Sequence, residues 1–172
     1  MDPLGRYVRE AQGGDPEAFA WLHQRYAGWV RAIALGSLSP AEADDVVQDV
    51  ALKAWEKLPT LRQPERYGVW LAQIARNAVR DVLRRRKDLG QLPRGGPEGR
   101  AGDRPPVLAR AAEALAAIRE LPEAYRETLI LRLVEGWSGP EIAARTGLQP
   151  GSVRVNLHRG MGLLRERLGV EA

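Results

Sequence analysis

Glu141-Ile142-Ala143-Ala144-Arg145-Thr146-Gly147-Leu148, continued by Gln149 to Arg159, is the stretch that decides the fold. Its spacing predicts a helix-turn-helix: a short helix, a turn at Gly147 in the left-handed conformation open to glycine, then a second helix. Ala143 is small where the two helices cross. Ile142, Leu148, Val153 and Leu157 are placed to bury the inner face. On the second helix Ser152, Val155, Asn156 and Arg159 point outward, with Arg154, His158 and Arg165 along one edge. Such a helix in a major groove reads bases through Ser152, Asn156 and Arg159 and touches phosphates through the flanking cations. Helical hairpins of this shape also serve as plain structural corners; the basic outer face favours DNA.

The composition around this stretch is that of an all-α protein. In 172 residues, Ala (24) and Leu (22) far outnumber Ile and Thr, which total eight, a helix-forming balance. The net charge is +4, and 23 of the 26 basic residues are Arg, suited to planar contacts with phosphates and bases. With no cysteine, disulfide frameworks, zinc knuckles and thiol nucleophiles are excluded. The longest uncharged run, Ala32 to Ala41, is ten residues, about half of a membrane span. The opening Met1 to Arg6 lacks the order of a signal peptide, so the expectation is a soluble, cytoplasmic protein without membrane insertion. His23 and His158 fall in different units, and no nucleophile triad, phosphate loop or metal-ligand spacing is present, so neither enzyme, cofactor nor metal is expected.

Leu89 to Val107 holds five Gly and four Pro in 19 residues without an apolar period and reads as a flexible linker. It separates an N-terminal unit, 1–88, from a C-terminal unit, 108–172, with the helix-turn-helix at about 139–159. Helix starts are expected at Asp15-Pro16, at the capping box Ser39-Pro40-Ala41-Glu42, and at Pro64 or Glu65, the last running to about Arg86. After the linker, helices are expected near 108–119, 122–135, 140–146 and 150–168, with a second capping box at Ser138 and Glu141.

Two helical faces of the first unit need an explanation. In the helix from Pro40 to Lys57, Val46, Val47, Val50, Ala54 and Leu58 face the core, while Asp45, Gln48, Asp49, Leu52 and Glu56 share the opposite side. A solvated acidic face is the plain reading. Leu52 at its centre argues for a protein contact, and no third acid converges to make a metal site. In the next helix Tyr67, Leu71, Ile74, Ala75, Ala78 and Val82 make the core stripe. Arg66, Trp70, Gln73, Asn77, Arg80 and Arg84 make another. Guanidinium groups that hold a backbone, an indole that stacks and amides that read an exposed edge suit single-stranded nucleic acid. Trp70 as ordinary core and arginines as solvated surface is the alternative; the run Arg84-Arg85-Arg86-Lys87 weighs against it.

Along nearly its whole length the sequence resembles the bacterial sigma-70 family, in particular its short extracytoplasmic-function members. The segments that carry the resemblance are Asp15 to Tyr26, Ala43 to Trp55, Tyr67 to Asn77, Leu121 to Gly136 and Leu157-His158-Arg159. The resemblance implies a promoter-specificity subunit. Asp45, Gln48, Asp49 and Leu52 would dock on the clamp of the largest subunit of core RNA polymerase. Trp70 and Asn77 would face the separating strand of the −10 element, and the loop Leu58 to Pro64 would capture an extruded base. The C-terminal unit would read the −35 element and meet the polymerase flap region. Promoter DNA and an anti-sigma factor are the further partners implied.

The sequence departs from the family pattern at Asn156, Met161 and Gly162, where Arg or Lys is usual, and at Gly139-Pro140, where an aromatic and then an acid are usual. Weaker −35 contact is the expectation. Two rivals stay open at this level: a stand-alone helix-turn-helix regulator that ignores polymerase, and a helical adaptor whose basic faces bind an acidic partner.

Overall fold

Asp15 caps the helix that organises the N-terminal half, its carboxylate accepting from the N–H of Glu17 at 2.9 Å and of Ala18 at 3.4 Å. The computed structural model describes residues 3–90 and 106–170, and no strand occurs among them. The helices are α1 (Leu4–Gln12), α2 (Pro16–Leu35), α3 (Pro40–Lys57), α4 (Tyr67–Asp88), α5 (Pro106–Arg119), α6 (Glu123–Leu133), α7 (Gly139–Thr146) and α8 (Pro150–Leu168). Two 3-10 turns, Leu58–Thr60 and Pro64–Arg66, connect α3 to α4. Both expected capping boxes form, Ser39 with Glu42 and Ser138 with Glu141. Most of the expected linker, residues 91–105, lies outside the described residues.

Helix α2 is the hub of the first four helices. Its Leu22, Tyr26, Trp29, Val30 and Leu35 are buried, and α1, α3 and α4 all pack on it. Glu42 at the start of α3 pairs with Arg86 near the end of α4, so those two helices run antiparallel. Four further helices, α5 to α8, pack around Ile118, Leu129, Ile130, Ile142, Val153 and Leu164. The helix-turn-helix closes at Gly147, whose φ of +74° is the left-handed conformation its sequence position predicts.

Four details differ from expectation. Helix α1 has no counterpart in the sequence reading. It lacks a side-chain cap and owes its place to docking: Leu4, Val8 and Ala11 are buried, and Tyr7 stacks on Trp21 at 4.1 Å and 13°. Helix α4 begins later, after the 3-10 turn, and ends at Asp88. Leu148 does not bury, since the turn at Gly147 swings it outward; Thr146 fills the inner place, its hydroxyl donating to the Ile142 carbonyl at 2.6 Å. Arg86 leaves the basic run at the end of α4, because it is buried against Glu42.

Candidate nucleic-acid interface

The acidic face of α3 is where helix periodicity puts it. Val46, Val50, Ala54 and Leu58 are buried, while Asp45, Gln48, Asp49, Leu52 and Glu56 are exposed. Leu52 is 68% exposed at the middle of that face, and Asp49 is held by Lys53 at 2.7 Å. Trp55, one position from the face, is partly exposed with its ring edge-on to Phe19 at 4.9 Å.

On α4 three residues of the predicted stripe, Gln73, Asn77 and Arg80, are linked by hydrogen bonds. Gln73 donates to the Asn77 side-chain oxygen at 3.2 Å, and Arg80 donates to the same oxygen at 2.7 Å. Arg84 pairs with Asp81 at 3.0 Å, and Arg66, Gln73, Asn77, Arg80 and Arg84 are all exposed. Trp70 packs on the core beside Tyr67, ring centroids 5.7 Å apart, and stays partly exposed. Burial, with Tyr26 alongside, pushes the Tyr67 phenol upward and keeps it neutral beneath that indole.

Sequence reasoning missed how the neighbouring loop is fixed. The Gln12 amide donates to the carbonyl of Leu58 at 3.0 Å and of Leu61 at 2.8 Å. One side chain of α1 thereby sets the path of the loop 58–64, leaving Arg62 and Gln63 exposed next to Arg66. No periodicity announces a lone Gln in this role; only the apolar spacing of Leu4, Val8 and Ala11 hinted at the helix that carries it.

On α8, Ser152, Arg154, His158 and Arg159 are exposed along with Val155 and Arg165. Asn156 is half-buried and lines a cavity with Trp29, Val69 and Arg76. Met161 turns partly inward. Gly160 is buried against α6, where an added Cβ would lie 3.1 Å from a Leu129 methyl. Arg145 on α7 stacks over Trp137 at 4.2 Å and pairs with Glu141 at 3.5 Å. Among the described residues no group of His, Asp or Glu is arranged to hold a metal, and no helix is long and apolar enough to cross a membrane.

Comparison with known proteins fits this geometry. Residues 22–88 match the family profile "Sigma-70 region 2", and residues 111–164 match "Sigma-70, region 4". RNA polymerase sigma factor CarQ of Myxococcus xanthus is 34% identical over 166 residues, covering 91% of this chain and 92% of that protein. RNA polymerase sigma factor CnrH of Cupriavidus metallidurans is 29% identical over 179 residues, covering 95% of this chain and 93% of that protein. The solved structure of CnrH in complex with the cytosolic domain of CnrY superposes with a TM-score of 0.62 at 28% identity, covering 99% of this chain and 100% of that one. Sigma factor RpoE in complex with the anti-sigma factor NepR, from Bartonella quintana, gives 0.53 at 25% identity, covering 85% and 92%.

Proposed function

Since this chain belongs to the RNA polymerase sigma factors of the sigma-70 family, among its extracytoplasmic-function members, we propose a division of labour among its faces. The protein is a sigma factor: it binds core RNA polymerase and directs promoter-specific initiation. The docking face is Asp45, Gln48, Asp49 and Leu52 on α3. The strand-opening face is Arg66, at the end of the 3-10 turn before α4, with Trp70, Gln73, Asn77, Arg80 and Arg84 on α4. The −35 duplex falls to Ser152, Arg154, Asn156, His158 and Arg159 on α8.

The observation that carries this reading is Leu52, an exposed leucine with acids on either side of it along one helix face. Apolar centres with charged rims are how docking surfaces look, and a leucine exposed on a monomer is stabilised by the partner that covers it. Strand opening then follows from capture. Unstacking a base costs a few kcal/mol, which stacking on Trp70 and hydrogen bonds from Asn77 and Gln73 offset. The arginines hold the backbone without reading it.

On this reading the chain has no reaction centre of its own; the polymerase does the chemistry, in the cytoplasm, and this subunit chooses where. An anti-sigma factor is the regulatory partner that membership brings with it. A stand-alone regulator is the disfavoured alternative, since the relatives that match across both units are sigma factors. Gel filtration of the purified chain with core polymerase tests the assignment. Co-elution is expected, and separate elution at micromolar concentrations contradicts it.

A further inference from the structure

We propose that Gln12, at the end of α1 and outside every face named above, is a positioning residue for strand capture. Its amide holds the loop 58–64 so that Arg62 and Gln63 meet the opened strand beside Trp70. This deepens the functional reading above, on which it rests, by adding to the α4 face a loop and the side chain that fixes it.

The loop has little backbone of its own to hold it. Pro59 and Pro64 bring no N–H, and Leu61 and Gln63 are extended, the latter as expected for a residue before proline. Its backbone bonds lie at its ends: the Leu61 N–H donates to the Leu58 carbonyl at 3.0 Å, and the Arg66 N–H to the Gln63 carbonyl at 2.9 Å. Gln12 supplies the hold between them, donating to the carbonyls of Leu58 at 3.0 Å and Leu61 at 2.8 Å. Only the nitrogen end of an amide donates, so two carbonyl oxygens fix which way this side chain faces. Helix α1 is anchored without it. Leu4, Val8 and Ala11 are buried, Tyr7 stacks on Trp21, and Arg6 and Arg25 lie over those two rings at 4.8 and 5.3 Å. Removing the amide therefore unhooks the loop and leaves the helix docked.

What the loop presents suits a single strand. Arg62 and Gln63 are exposed, and neither side chain has a hydrogen-bond or ionic partner among the described residues. Cations of α4 are by contrast engaged, Arg84 with Asp81 at 3.0 Å and Arg76 with Glu127 at 2.9 Å. The loop leads straight into Arg66 and, one turn on, Trp70. A guanidinium holds a phosphate, and a glutamine amide pairs with the edge of an unpaired base. Such an amide reads selectively when the backbone beneath it is already fixed, because ordering a loose loop on binding consumes the affinity gained. Gln12 provides that preorganisation from outside the contact surface.

The test uses holoenzyme made from the full chain and core polymerase, on a promoter mapped with the unsubstituted chain. Rates of open-complex formation across holoenzyme concentrations separate initial duplex binding from the opening step. Gln12→Glu keeps the shape of the side chain but turns an acceptor toward both carbonyls, so the opening rate should fall about tenfold or more. The half-saturating holoenzyme concentration and the affinity for core polymerase should stay at the parent's values. Gln24→Glu, the same change at an exposed position of α2, should open the promoter at the parent's rate. Gln63→Ala should slow opening, and the double variant should be no slower than Gln12→Glu alone, since a displaced Gln63 has nothing left to lose. If Gln12→Glu does not fold by circular dichroism, Gln12→Ala carries the same comparisons. Opening at the parent's rate by the Gln12 variant or by Gln63→Ala overturns the proposal, as do losses that multiply in the double variant. So do duplex binding and core affinity that fall in step with the rate, which reduces Gln12 to a packing residue. A parent chain that creates no new starts removes the functional reading and this role with it. A parent that initiates beside an unaffected Gln12 variant removes only the role of Gln12.

Discussion

Gly160 on α8 lies against Leu129 on α6 so closely that an added Cβ would sit 3.1 Å from a leucine methyl and 3.2 Å from Tyr125. The glycine that weakens the recognition helix in isolation is what lets that helix pack. Gly162, one turn position away, has nothing within 4 Å of such a Cβ. Opposite outcomes follow. Gly160→Val should destabilise by about 1–3 kcal/mol through overpacking, and Gly162→Ala should stabilise by about 1 kcal/mol through helix propensity. Urea unfolding midpoints of the two variants check both signs.

Trp70 is half-buried on the core beside Tyr67 and half-exposed. Stacking of a base on an aromatic ring is worth about 1–3 kcal/mol, so Trp70→Ala should slow open-complex formation about tenfold or more. Trp70→Phe keeps a ring in both roles and should fall between the two. Permanganate reactivity of promoter thymines reports the rate; equal rates for all three proteins would remove the indole from strand capture.

Leu52→Asp should leave folding intact, because the side chain is 68% exposed, while weakening affinity for core polymerase about tenfold or more as a central interface residue. Val50→Asp, buried on the opposite side of the same helix, should instead unfold the protein. Polymerase affinity by fluorescence anisotropy, with thermal unfolding alongside, distinguishes them.

Acid should loosen the α3–α4 hairpin. Burial works to raise the Glu42 carboxyl, but hydrogen bonds from Ser39 and the contact with Arg86 outweigh it and hold the group below its ordinary 4.5. The Ser138 backbone and hydroxyl likewise lower Glu141 in the second capping box. A carboxyl depressed in the folded state adds stability above its ordinary pKa and loses it as pH falls through the folded value. Unfolding free energy should therefore drop below about pH 4.5, and Glu42→Gln should flatten the drop. A profile unchanged by Glu42→Gln contradicts the assignment.

What was legible in the sequence was local. Asp15, Ser39 and Ser138 announced three helix starts through side-chain chemistry within three residues, and α8 spans the expected 150–168. The exposed faces of α3 and α4 came from periodicity alone. Helix α1 escaped because Pro3 offers no side-chain cap and only three buried residues mark it. Leu148 was misplaced because a left-handed glycine resets the face of the residue after it. Arg86 and Glu127 were unreadable for a different reason. Their partners stand 44 and 51 positions away, and neither propensity nor period encodes which distant charge a carboxylate meets.

In vitro transcription with start-site mapping tests the central claim most directly. Purified chain added to core polymerase on genomic DNA should create a set of new start sites absent from core alone. Those sites should share paired upstream elements at a fixed spacing and should be lost with Leu52→Asp. The same starts with and without the chain would contradict the account.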